Sequence, residues 1–198
     1  PTRRSSDLHG ALDVIGAVAQ YGPHVAALRP ELSGLLTGGQ AQAARTALAR
    51  WQEAGLPDDL AVTIATAAQA HTLLSVVEVA HRLGLPPLRV AQVHYRLATV
   101  VGIDLLDAGV DGLPRQERWD AMARAALRDE LVATHAELTA AVLAGADPEA
   151  SSDEVVAGWL ASEASRGVRA ATIRQVADGP ADVARMNVGL GQLRSLLG

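Results

Sequence analysis

The stretch Pro114-Arg115-Gln116-Glu117-Arg118-Trp119-Asp120-Ala121-Met122-Ala123-Arg124-Ala125-Ala126-Leu127-Arg128-Asp129-Glu130-Leu131-Val132-Ala133-Thr134-His135-Ala136-Glu137-Leu138-Thr139-Ala140-Ala141-Val142-Leu143-Ala144 contains no glycine and no proline after its first residue. Its apolar residues, among them Trp119, Met122, Ala126, Leu131, Leu138 and Val142, recur at helical spacing. The pattern predicts one helix over 114–144, roughly 45 Å long at 1.5 Å per residue. A helix of that length is a spine against which others pack, so the fold is expected to be all-α, a multi-helix array with a long central helix and no sheet.

The flanking sequence agrees with that expectation. Gly and Pro punctuate it into further helical segments. Upstream, the pattern predicts helices over Ala11–Gln20, His24–Leu36 and Gln40–Ala54, the last with Ala44, Leu48 and Trp51 on one stripe and Gly55 as its stop. Pro57-Asp58-Asp59 opens a helix to about Ala68, since Pro suits the first turn and acids suit the positive end of the helix dipole. Leu73–Leu83 follows, capped by Gly84; then Leu88–Val101, stopped by Gly102; then one or two turns over Ile103–Ala108. Beyond the spine, helices are expected over Glu154–Ser165, Val168–Ala177 and Ala181–Leu197.

Composition points the same way. Ala supplies about one residue in five, there is no Phe, and the aromatic residues are three Trp and two Tyr. An Ala/Leu/Val core suits close-packed helices, and the β-branched and aromatic alternation of strands is missing. No cysteine is present, which excludes disulfides, thiolate metal sites and thiol nucleophiles. All 17 basic residues are Arg, a bias read together with the Ala and Gly excess as that of a GC-rich coding sequence. The net charge of −5 argues against a dedicated nucleic-acid binder, because neutralising phosphates takes a basic face. No apolar run reaches the roughly 18–20 residues that span a bilayer, and a cytoplasmic location with no membrane partner is expected. Pro1-Thr2-Arg3-Arg4-Ser5-Ser6-Asp7-Leu8 reads as translated sequencing adapter, which places native sequence at 9–198, with a subdivision near 112.

The candidate chemistry is thin. His71, His81 and His94 do not share the i, i+4 spacing of a zinc helix, so no metal site is expected. Asp58-Asp59 and Asp129-Glu130 are helix neighbours, whose side chains diverge by about 100° and make poor acid/base pairs. No serine lies in a Gly-x-Ser-x-Gly turn. Gly189-Leu190-Gly191 follows no strand, so it is no dinucleotide loop. Arg118, Arg124 and Arg128 lie along one helix, and interhelical ion pairing is the reading preferred over a phosphate site. No catalytic, cofactor-binding or metal residue is assigned.

The sharpest local pattern runs from Glu78 to Ala91. Ala80, Gly84 four residues on and Val90 six further match the skeleton of a helix-turn-helix: a small contact residue, a turn glycine and an apolar anchor. Arg89, Gln92 and Arg96 then lie on the second helix. This makes an independent helical binding module, a transcription regulator, the alternative reading.

Taken in order, several segments resemble the C-terminal helical region of the large bacterial NAD-specific glutamate dehydrogenases. They are Glu53-Ala54-Gly55-Leu56-Pro57-Asp58-Asp59-Leu60-Ala61, Leu74-Ser75-Val76-Val77-Glu78-Val79-Ala80 and Val93-His94-Tyr95-Arg96-Leu97. Arg118 to Leu131 is the strongest, and Asp182-Val183-Ala184-Arg185-Met186-Asn187-Val188-Gly189-Leu190-Gly191-Gln192-Leu193-Arg194 is similar to that family's terminus. The resemblance implies a parent enzyme that converts L-glutamate to 2-oxoglutarate and ammonia with NAD, its chemistry in an upstream catalytic core. This chain has no Lys at all and no glycine-rich phosphate loop, so no functional residue carries over. The implied role is structural, oligomerising or regulatory. The implied partners are the catalytic core of the same chain and neighbouring subunits of a homo-oligomer, with Arg89 and Arg96 held in protein contacts instead of on DNA.

Overall fold

The computed structural model describes residues 48, 49, 52–114 and 116–198, with backbone only for 59–71. The helices expected over Ala11–Gln20 and His24–Leu36, and the segment 1–8, lie outside the described residues. Of Gln40–Ala54, residues 48, 49, 52 and 53 are helical, and Gly55 takes the left-handed φ of +81° that a helix stop needs.

Seven helices follow: α1 (Asp58–Leu83), α2 (Pro87–Val101), α3 (Ile103–Gly112), α4 (Arg118–Leu143), α5 (Ser152–Ala161), α6 (Ala164–Ala177) and α7 (Val183–Arg194). No strand occurs among the described residues, so the fold is all-α there.

Several boundaries differ from expectation, among them the start of the helix expected over Val168–Ala177, which begins at Ala164, and both ends of that expected over Ala181–Leu197, which spans Val183–Arg194. α1 runs unbroken through 68–73, where Gln69-Ala70-His71-Thr72 holds neither Gly nor Pro to stop it. α3 continues past Ala108 because Gly109 is a packing position: a Cβ there would stand 2.6 Å from Met186 Sδ on α7. α4 begins at Arg118, since Glu117 is extended and serves as its N-cap. The helix expected over Glu154–Ser165 ends at Ala161, and Glu163, also extended, starts α6.

Two caps are well formed. At the end of α1, Gly84 at φ +66° lets its N–H reach the His81 carbonyl (3.3 Å) while Leu85 N–H reaches Ala80 (3.0 Å), the paired bonds of a Schellman motif. At the start of α5, Ser151 Oγ accepts from Glu154 N–H and the Glu154 carboxylate accepts from Ser151 N–H (2.8 Å), a capping box. The Ser151 bonds hold the Glu154 carboxyl below its usual range.

α4 packs against α1, α2, α3, α5 and α7. It shares the central position with α2, which meets α1, α3, α4, α5 and α6. The reason is visible in α2: Val90, Val93, His94, Leu97, Ala98 and Val101 recur at three-and-four spacing and are all buried. The buried stripe of α4 starts only at Leu127 and continues through Leu131, His135, Leu138 and Val142. Trp119, Met122 and Ala126, expected on the same stripe, face outward instead, with Trp119 69% and Met122 46% exposed. One hydrophobic core joins residues from α1 through the Leu196 that follows α7.

Candidate functional site: the α2 groove and the buried histidine pair

The helix-turn-helix skeleton of 78–91 forms as read: Ala80 and Val90 are buried and Gly84 makes the turn. The second helix does not present a free reading face, however. Arg89, Gln92, Tyr95 and Arg96 line a groove of about 500 Å³ whose other wall is the segment Pro148–Ser152 leading into α5. Arg96 pairs with Asp153, and Arg89 donates to the backbone carbonyl of Asp147 (3.2 Å). The cations of the alternative reading thus engage the chain's own α4–α5 connection and the first turn of α5.

Beneath this groove, α2 and α4 bring together two histidines that lie 41 residues apart in sequence. The rings of His94 and His135 stack at 3.5 Å between centroids. Thr139 is fully buried and donates its single hydroxyl proton to the His135 carbonyl (2.8 Å). Its oxygen therefore accepts from His94 Nδ1–H (2.9 Å), which fixes the His94 tautomer. His135 Nε2–H donates to the His94 carbonyl (3.0 Å). Among the described residues His94 Nε2 is left with no partner.

Burial holds His94 well below its ordinary imidazole value, and the neighbouring His135 adds to the shift. Burial lowers His135 to about 4, against the opposing effect of its bond to the His94 backbone. Both rings are neutral at neutral pH. This arrangement joins α2 to α4 through a buried polar contact.

The other candidates resolve individually. Arg124 and Arg128 both pair with Asp111 on α3, and Arg124 Nε also donates to the Val110 carbonyl (3.0 Å), so the preferred ion-pair reading holds for these two. Asp107 nearby has its carboxyl raised by burial, with Arg128 and Arg124 pulling the other way. Arg118 is exposed and joins no ion pair among the described residues. Asp58 accepts from Gln52 Nε2 (2.9 Å) at the surface, and the side chains of Asp59 and His71 lie outside the described residues. Glu130 pairs with Arg194, and Asp129 is exposed. Gly189 is where α7 touches α3, a Cβ there standing 2.5 Å from Leu106 Cδ2, whereas a Cβ at Gly191 would meet open space. Among the described residues no group of three or more His, Asp or Glu is placed to hold a metal ion. No described helix is long and apolar enough to cross a membrane.

Sequence reading missed the His94–His135 pair. The available signal was a histidine inside each buried stripe, at 90-94-97 and at 131-135-138; their meeting depends on how α2 and α4 pack.

These features define an all-helical region organised by two central helices. The chain belongs to the family described as glutamate dehydrogenase, C-terminal, whose model matches residues 6–195. It is 31% identical over 185 residues to an NAD-specific glutamate dehydrogenase of Mycobacterium tuberculosis (strain ATCC 25618 / H37Rv), covering 92% of this chain and 11% of that protein. It is 29% identical over 149 residues to the Pseudomonas aeruginosa NAD-specific glutamate dehydrogenase (75% and 9%) and 27% identical over 140 residues to that of Halomonas elongata (71% and 9%). The chain therefore spans about a tenth of the length of these curated relatives.

Proposed function

We propose that this helical region is a non-catalytic C-terminal part of a cytoplasmic, NAD-dependent glutamate dehydrogenase. The parent reaction takes L-glutamate, NAD and water to 2-oxoglutarate, ammonia and NADH, with NAD and glutamate bound outside residues 9–198. The observation that carries the reading is family membership together with the small share of each relative that the chain spans. The role of the region is to pack on the catalytic core of its own chain or on a neighbouring subunit of a homo-oligomer.

The first turns of α4 are the surface suited to that contact. Trp119 and Met122 stand one helical turn apart, both exposed, before the buried stripe of α4 begins at Leu127. Large aromatic and Met side chains are enriched where proteins meet, and burying them provides most of the binding energy. The double variant Trp119→Ala, Met122→Ala is expected to change the stability of the 198-residue chain by no more than about 0.5 kcal/mol. In the intact dehydrogenase the same variant is expected to lower the thermal midpoint or shift the oligomer distribution in size-exclusion chromatography. Wild-type behaviour of the intact variant in both measurements would contradict this docking face.

A further inference from the structure

The groove between α2 and the start of α5 has more donors than it uses. Tyr95 is only 7% exposed, lines the groove, and its hydroxyl makes no hydrogen bond among the described residues. The hydroxyl is not among the buried atoms that lack a partner, so it opens onto the solvent of the groove while the ring is buried. Arg89 spends one N–H on a carbonyl and has no carboxylate partner among the described residues. Gln92 adds an amide. The opposite wall ends at α5, where the Ser151–Glu154 capping box occupies the third N–H of the helix and leaves the N–H groups of Ser152 and Asp153 without acceptors among the described residues. The helix dipole places partial positive charge there. The carboxylates beside the groove are Glu149, on its wall, Asp153, which is engaged by Arg96, Glu154, which accepts from the Ser151 amide and hydroxyl, and Asp147, which accepts from the Glu149 amide.

We propose that this groove binds a small anion through a carboxylate or phosphoryl group. Arg89 supplies the charge, the Tyr95 hydroxyl donates from the floor, and Gln92 with the Ser152 amide completes the cradle. A volume of about 500 Å³ suits a metabolite-sized ligand. Arg96 closes one side, held in place by Asp153. The inference rests on this chain's own residues and is independent of the dehydrogenase reading.

Titration calorimetry on the 198-residue chain tests it, with inorganic phosphate and succinate as the two probes at constant ionic strength. Saturable binding of at least one probe at millimolar concentration or below is expected, and the tighter one identifies the phosphoryl or the carboxylate source. Arg89→Gln is expected to weaken binding roughly tenfold or more, and Tyr95→Phe by several-fold, because each removes a donor to a charged acceptor. Tyr95→Phe deletes a hydroxyl with no hydrogen bond among the described residues, so an unchanged thermal midpoint separates lost binding from lost folding. Arg82→Gln, on a surface ion pair with Glu137, is expected to bind as the wild type does. Absence of saturable binding for both probes overturns the proposal. So does binding that survives both Arg89→Gln and Tyr95→Phe.

Discussion

Acidification from neutral pH to about pH 5 is expected to cost the folded chain roughly 2 kcal/mol through His135 alone, and His94 adds to the loss in the same direction. Burial lowers both rings, His135 to about 4 and His94 well below the ordinary value. In the folded chain His135 remains neutral through the window from about 6.5 down to about 4 and burial keeps His94 neutral well below its ordinary value, while in the unfolded chain both take up protons as the pH drops below about 6.5. The unfolded state therefore binds more protons in that window, and stability falls as pH falls, by about 1.4 kcal/mol per pH unit for each ring. Asp107, with its carboxyl raised by burial, gains its proton more readily when folded and opposes the trend on the acid side. Against a total of about 5–15 kcal/mol for a typical domain, the loss is large. Urea midpoints measured across this range check it. His135→Gln keeps a donor near the His94 carbonyl and is expected to make the slope shallower by one proton; a wild-type midpoint flat between pH 7 and pH 5 would contradict the buried neutral pair.

Leu138→Ala is the second large effect. Leu138 has no exposed surface and sits on the buried stripe of α4, one turn from His135 and beside Thr139. Truncating a fully buried leucine costs about 2–5 kcal/mol, the transfer loss plus the cavity left where neighbours cannot collapse. The lower bound suits a site bounded by mobile side chains, but here the adjacent contacts are fixed by the Thr139 and histidine bonds, so the upper half of the range is expected. Thr139→Val keeps the shape but strands His94 Nδ1–H, at about 1–3 kcal/mol. Denaturant unfolding should show the Leu138→Ala midpoint falling with an unchanged slope. A loss under about 1 kcal/mol would mean that α4 is not closed against α2 at this level.

Much of the architecture was legible because helix punctuation is a local property. Gly84 and Gly102 each require positive φ and fall where the sequence predicts the stops. The continuous α1 and the extended α3 were not legible from punctuation alone, since Gly109 reads as a breaker yet serves as the close-approach point for Met186. The outward turn of Trp119 and Met122 was equally hidden: periodicity identifies a stripe but not which part of it the chain itself covers. The helix-turn-helix skeleton was legible, but the regulator reading built on it was not supported, because the destination of Arg89 and Arg96 depends on the distant 147–153 segment. The His94–His135 contact likewise belongs to tertiary packing. The family, by contrast, was carried by an ordered set of short segments, none of them sufficient alone.

Glutamate-dependent NADH formation, followed at saturating glutamate and NAD, tests the central claim most directly when the intact protein and the 198-residue chain are assayed side by side. The account predicts turnover by the intact protein and none by the chain alone. Turnover by the chain alone would place catalytic residues within it, and an intact protein inactive toward glutamate would contradict the dehydrogenase assignment.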